Sequence, residues 1–313
     1  MTTPPTHTHR SHGDHDHDRG LAFDLARMDE LRVGRRRALR WFGGVGTAAL
    51  ATACGGGSSG AGSESIGSTP TPTPSATATA TPTPTPSATA TSGSCTVPAS
   101  ETNGPYPADG TNTSAGLTSN ALTASGVVRT DIRSSFVGSS TTTAPGVATT
   151  LTITVVDANN ACAPLAGYAV YVWACDATGL YSLYNLPNES YLRGVQVTDA
   201  NGQCTFTMIV PGCYEGRYPH IHFEVFSSLA NATTGRSARL ISQFAIPAAV
   251  CTAVYAGASG TYGQSASRFA RTSIASDGIF GDNTAAQNAV MTLTMTGSVA
   301  GGYTASTVIG IAT

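Results

Sequence analysis

Lysine is absent beyond Cys54, and the eight arginines and twelve acidic residues of that stretch are scattered. Nucleic acid is gripped by dense basic surfaces that displace its counterions, so this chain is not expected to bind it. Long hydrophobic runs are missing too. The apolar run over 41–53 falls short of the about 20 residues that a permanent membrane helix needs, and no amphipathic helix marks a membrane surface. Histidine is scarce where a fold could use it. Of seven in the chain, His7, His9, His12, His15 and His17 lie in a polar N-terminal stretch, which leaves only His220 and His222 for the rest.

Composition divides the chain into three zones. Residues 1–54 read as an export signal: a long polar lead, Arg35-Arg36-Arg37-Ala38-Leu39-Arg40, a short apolar run and Cys54. Small residues before Cys54 resemble a lipoprotein processing box, so the one membrane contact expected is a lipid anchor at that cysteine. Residues 55–94 are Gly, Ser, Ala, Thr and Pro, with Thr-Pro repeats. Such a segment buries no core and is expected to run as a semi-extended tether. The localisation implied is exported, on the extracellular or periplasmic side.

Residues 95–313 are long enough for one domain with a core. Short β-branched runs over 151–156, 168–173, 204–209, 239–245, 290–295 and 304–311 are separated by Gly, Asn, Asp and Pro. Asp199-Ala200-Asn201-Gly202 reads as a tight hairpin turn between two of them. No long helical period competes, so the fold expected is all-β, an antiparallel β-sandwich. Cys95, Cys162, Cys175, Cys204, Cys213 and Cys251 lack the paired spacing of zinc fingers and are expected to staple the exported domain as disulfides.

The stretch from Pro211 to His222 gathers Tyr214, Arg217, His220 and His222. If 221–226 is a strand, residues two apart share a face, so His220 and His222 point the same way with Tyr214 and Arg217 beside them. An isolated His-x-His pair on a strand is more often structural than ligating. Spending the domain's only two histidines beside a phenol and a guanidinium favours a metal site, with a fourth ligand to come from elsewhere.

Several segments together resemble the intradiol ring-cleavage dioxygenases, in particular their exported single-chain branch. They are Asn103-Gly104-Pro105-Tyr106, Val128 to Arg133, Pro164 to Gly167 leading into Trp173-Ala174-Cys175-Asp176-Ala177-Thr178-Gly179-Leu180-Tyr181-Ser182, Leu192 to Asp199, and the His-Ile-His stretch. The resemblance implies a non-haem Fe(III) held by Tyr181, Tyr214, His220 and His222. It further implies a catechol-type substrate cleaved with O2 to a cis,cis-muconate-type diacid. Tyr214 would be the ligand that leaves and takes up a proton, Arg217 would stabilise negative charge on the ring, Gln243 would hold Arg217, and Tyr106 would line the pocket. Phenolate donors suit Fe(III) on independent grounds, being hard and anionic.

Some alternatives stay open. Ala174 stands where many exported relatives have His. Tyr184, Tyr191 and Tyr218 add phenols near the site, and Tyr184 is a rival to Tyr181. A non-catalytic β-sandwich module for phenolic or carbohydrate ligands is the second functional reading. A zinc hydrolase is a distant third, because it would want a carboxylate or third histidine. The chain could act alone or as a homodimer, and catechol, protocatechuate, hydroxyquinol and lignin-derived fragments are the candidate substrates.

Overall fold

The computed structural model describes residues 96–313. The expected export signal, Cys54, the tether over 55–94 and Cys95 lie outside the described residues. Strand formation follows the alternation of the sequence. In β1 (Ala148–Asp157), Thr150, Thr152 and Thr154 face outward while Leu151, Ile153 and Val155 are buried. Beside β1 lie β2 (Ala163–Pro164), β5 (Gln203–Ile209) and β9 (Gly302–Ile311), and β8 (Thr294–Ser298) pairs with the far edge of β9. A second, fully antiparallel sheet runs in the order β4 (Arg193–Val197), β3 (Ala169–Trp173), β6 (His220–Phe226), β7 (Leu240–Ala245).

The inner faces of the two sheets close one core. Leu151, Ile153, Phe206 and Met208 come from the first sheet, and Val172, Ile221, Phe223 and Phe244 from the second. The Phe223 and Phe244 rings stack at 4.0 Å. Removing either ring would cost about 3–5 kcal/mol through lost burial and the cavity left behind. This is the two-layer sandwich expected from the sequence.

What positions the site is that β3 and β6 are buried on both faces. Odd positions of β6 (Ile221, Phe223, Val225) enter the core, so His220, His222 and Glu224 point the opposite way. Strand register then sets Arg193, Trp173, His222 and Gln243 in one row across the second sheet, with Tyr171, Glu224 and Ile241 in the next.

Four expectations need correction. The sandwich is not wholly antiparallel, because β1 and β9 pair in parallel over their length. Helices α1 (Ala248–Gly257), α2 (Ser259–Tyr262), α3 (Ser265–Phe269) and α4 (Ala285–Met291) follow the last strand of the second sheet. The strand expected over 290–295 is therefore split: Val290 and Met291 end α4, which starts at a reciprocal Thr284/Gln287 cap, and β8 begins at Thr294. The Asp199–Gly202 turn is tight, with the Gly202 N–H on the Asp199 carbonyl at 2.9 Å, but β4 and β5 on either side of it belong to different sheets. It is a crossing, not a hairpin.

The fourth correction concerns cysteine. Cys162 is disulfide-bonded, whereas Cys175, Cys204, Cys213 and Cys251 are free and buried. Each sits in apolar packing, as a small hydrophobe would. Burial pushes the Cys204 and Cys213 thiols up to about 12, which keeps them from reacting as thiolates. No helix among the described residues is long and apolar enough to cross a membrane.

Glu224, fully buried, meets the buried Asp109, and both carboxyls crowd the position a Cβ on Gly235 would take. Burial, then Asp109, raises the Glu224 carboxyl well above the usual carboxylate range. Both Glu224 oxygens are buried with no hydrogen-bond partner among the described residues, and a carboxyl so raised is carried neutral, so Glu224→Gln, neutral and of the same shape, is expected to change stability by less than about 1 kcal/mol. Gly235→Ala, whose methyl would clash with the Asp109 carboxyl, is expected to be clearly destabilised. Denaturant melts of the two variants check both.

Candidate active site

Tyr181 reaches the outer face of the second sheet through a turn built by Asp176. That carboxylate accepts the Thr178 N–H and hydroxyl and the Leu180 N–H at 2.8, 2.7 and 3.1 Å. Gly179 has φ +90, and a Cβ there would stand 2.9 Å from that of Tyr214, so only glycine lets the two tyrosine-bearing segments approach. Tyr214 is carried by the Pro211–Cys213 bend, which the helices brace. Tyr255 donates to the Pro211 carbonyl at 2.8 Å, and the Cys213 N–H bonds to Ser265 Oγ at 3.0 Å.

Arg193 anchors the loops above. Its guanidinium, wholly buried, bonds the carbonyls of Tyr106, Pro107 and Ser182 and the Ser182 hydroxyl, all within 3.0 Å. The Tyr106 ring is thereby laid 4.9 Å from that of Tyr181. Sequence reading did not single out Arg193, although its place in Leu192-Arg193-Gly194 lay within a quoted segment.

Three polar atoms meet at His220 Nε2: His222 Nε2 at 3.1 Å, Tyr214 Oη at 3.2 Å and Tyr181 Oη at 3.5 Å. The His220 Nδ1–H donates to the Tyr218 carbonyl at 2.5 Å, which leaves the Nε2 lone pair aimed at the cluster. His222 is fixed by stacking on Trp173, with ring centres 4.7 Å apart and planes 6° from parallel. His222 Nδ1 and Trp173 Nε1 are buried with no protein partner. Ala174 packs into the core between the sheets, so the departure from the relatives' pattern at that position lies on the far side from the cluster.

Electrostatics keep all four groups in the form that a cation would need or displace. Burial, then Arg217, lowers the His220 imidazole to about 3, and burial, then His220, lowers His222 well below its usual value. Both are neutral ligand-ready rings near neutral pH. Burial raises both phenols, and Tyr181 is 1% exposed where Tyr214 is half-buried. The imidazoles imply a stability profile. In the unfolded chain they protonate near 6.5, while folded His220 holds out to about 3, so the unfolded form takes up more protons as pH falls. Their stabilisation of the metal-free protein is complete above about 6.5 and is expected to be lost progressively below it, by up to about 1.4 kcal/mol per pH unit for each ring. Denaturant melts of metal-free protein between pH 7 and pH 4 measure that slope.

The donor set fits a metal ion. Donors bonded at about 2.1 Å to one ion lie about 3 Å apart at right angles and about 3.4 Å apart in a tetrahedron; the His222 and Tyr214 contacts at His220 Nε2, 3.1 and 3.2 Å, fall in that interval and the Tyr181 contact, 3.5 Å, lies just beyond it. Two phenols and two neutral imidazoles suit a hard trivalent cation better than zinc. Of the rival phenols, Tyr184 donates to Asn112 Oδ1 at 2.7 Å and accepts the Ala108 N–H, Tyr191 donates to Asp176, and Tyr218 donates to the Ile246 carbonyl. Tyr184 is thus committed elsewhere, and it is Tyr181 that meets the imidazoles.

Arg217, 2% exposed, lies beside the cluster. Its Nη2 donates to Gln243 Oε1 at 2.7 Å, the contact expected of Gln243. A residue that sequence reading missed, Asp277, takes Nε at 2.9 Å.

Residues 127–248 match the family model described as Dioxygenase. No curated protein matches the chain. Among solved structures the chain is similar to an intradiol ring-cleavage dioxygenase from Tetranychus urticae, at 24% identity and a TM-score of 0.51, over 70% of this chain and 95% of that one. It is also similar to the dioxygenase domain of a dioxygenase carbohydrate-binding protein fusion from Streptomyces sp. SirexAA-E, at 22% identity and a TM-score of 0.34, covering 60% of this chain and 96% of that one. The first of these likenesses establishes a shared fold.

Proposed function

We propose that this chain, whose residues 127–248 match a dioxygenase family model, is an intradiol ring-cleavage dioxygenase that opens a catechol-type ring between its two hydroxylated carbons. One O2 would be consumed per ring and both of its atoms retained in a cis,cis-muconate-type diacid. Tyr181, Tyr214, His220 and His222 would hold the ferric ion. Held there, Fe(III) would supply Lewis acidity toward the two substrate oxygens, which makes the electron-rich ring reactive toward O2. The observation that carries this reading is the convergence of two phenols and a second imidazole on His220 Nε2 within 3.5 Å.

The remaining roles follow from burial and hydrogen bonding. Tyr181 is enclosed and stays in place. Tyr214 is the more exposed of the two phenols, which suits it to be the ligand that leaves, and the burial that raises its phenol makes a freed Tyr214 phenolate a strong base. It would receive a proton from a substrate hydroxyl. Tyr106, tilted against Tyr181, gives the entering ring an aromatic wall. Arg217 places a buried positive group where charge builds on the ring, and needs no reorganisation to do so. We place the domain outside the cytoplasm, carried by the tether over 55–94 and a lipid anchor at Cys54. The disulfide at Cys162 supports that compartment.

Oxygen uptake by iron-loaded protein over catechol, protocatechuate, hydroxyquinol and a lignin-derived catechol, with product spectra, tests the reading. Equimolar consumption of O2 and at least one ring, with a diacid product, is expected. Iron-loaded protein that binds these phenols and consumes no O2 would replace it with the binding-module reading.

A further inference from the structure

Arg217 does not stand alone. The Asp277 carboxylate, 1% exposed at the residue, takes it side-on through Nε at 2.9 Å and Nη2 at 3.3 Å. With Gln243 also on Nη2, the guanidinium has one nitrogen, Nη1, with no acceptor among the described residues. A side-on pair fixes the plane of a guanidinium as well as its place. Asp277 makes three further bonds. Its Oδ2 accepts the Tyr218 N–H at 2.7 Å, and its Oδ1 accepts those of Ile279 and Phe280 at 2.8 and 3.1 Å. The Tyr218 backbone touches both groups, its N–H on Asp277 and its carbonyl accepting from the His220 ring. Burial alone would raise the carboxyl, but Arg217 and these N–H groups hold it below its usual value, so it is ionised wherever the site works.

Resting on the function proposed above, we propose that Asp277 is a positioning residue for the ring cleavage. It acts by fixing the Arg217 plane so that Nη1 alone is presented to substrate. The rival is that Asp277 only braces the 277–280 bend. The two differ in what Asp277 acts through. If it works by aiming Arg217, its loss has no further effect once Arg217 is gone.

The experiment is a double-mutant cycle on the full chain loaded with iron: wild type, Asp277→Asn, Arg217→Met and the double variant. It is read by kcat, KM, the visible absorption band, spectral titration with 4-nitrocatechol, and melting of the metal-free forms. Asp277→Asn is expected to lower kcat about 10²-fold with KM within a few-fold and the band intact, the signature of a misaimed group. The double variant is expected to match Arg217→Met in kcat and in 4-nitrocatechol affinity, and the melting shifts are expected to be non-additive. Asp277→Asn leaves the Arg217 charge buried and unpaired. Should it fail to fold, the double variant, which has neither charge, still decides against Arg217→Met alone. Losses that multiply in the double variant, or an Asp277→Asn protein that melts early yet keeps its kcat, would overturn the proposal. Active wild type with a multiplying cycle refutes this inference alone, whereas iron-loaded wild type that consumes no O2 with any catechol refutes the function and this inference with it.

Discussion

Tyr181→Phe is expected to load little ferric iron and to lose most of its visible colour, with kcat falling below detection. Tyr181 is enclosed, its turn is built by the three bonds that the Asp176 carboxylate accepts from Thr178 and Leu180, and no other phenol can replace it, because Tyr184 is bonded to Asn112 and Ala108. In the proposed site, removing its oxygen takes away one of two anionic donors. Tyr214→Phe should behave differently. Its ring is half-buried and is assigned to leave during turnover, so this variant is expected to keep iron with a weakened band and to lose about 10²–10⁴-fold in kcat, the usual value of a lost acid–base group. Iron per chain, visible spectra and oxygen uptake, measured together on both variants, separate the two roles. Equal behaviour of the two would contradict the division.

Chelating the iron under reducing conditions is expected to abolish turnover while leaving the secondary structure unchanged, with activity restored by Fe(III) and not by Zn(II). The reason lies in the architecture. The hydrophobic core fills the space between the two sheets, and the four donors sit on the opposite face of the second one. Folding therefore does not depend on the ion as it does in zinc fingers. The melting temperature should still fall on metal removal, because an ion bound only by the native state stabilises it by mass action. Since burial raises both phenols, the metal-free site takes up two protons as the ion leaves. Circular dichroism, melting and a pH-stat record of proton uptake measure these effects. A chain that unfolds when chelated would mean that the core is insufficient by itself.

Much of this site was legible before the fold was known. His220 and His222 were two residues apart in a strand-like run, and period-two geometry puts such a pair on one face wherever that strand goes. Tyr181 was reachable only through the resemblance, because its distance of 39 residues from His220 carries no local period. Asp277 was invisible for a related reason. It is one acid in a loop 60 residues from Arg217, and nothing in local pattern says that it is buried against a guanidinium. Arg193 lay in a quoted segment, yet its role depends on which carbonyls the loops above bring down to it. In the fold, outward threonines alternating with buried Leu151, Ile153 and Val155 announced β1, but its parallel pairing with β9 joins opposite ends of the domain and leaves no trace in either strand. The helices over 248–291 were hidden by their Ala-, Ser- and Gly-rich composition. Cysteine count suggested staples, but a buried thiol and a buried half-cystine look alike in sequence, and four of the six are thiols.

Resonance Raman spectroscopy, excited in the visible band of the iron-loaded protein, tests most directly whether Tyr181, Tyr214, His220 and His222 hold one ferric ion. The account predicts tyrosinate vibrations from two phenolates in the resting protein, one set lost in Tyr214→Phe, with the other assigned to Tyr181. Iron-loaded protein with no tyrosinate vibrations, or with a pattern unchanged in Tyr214→Phe, would contradict it.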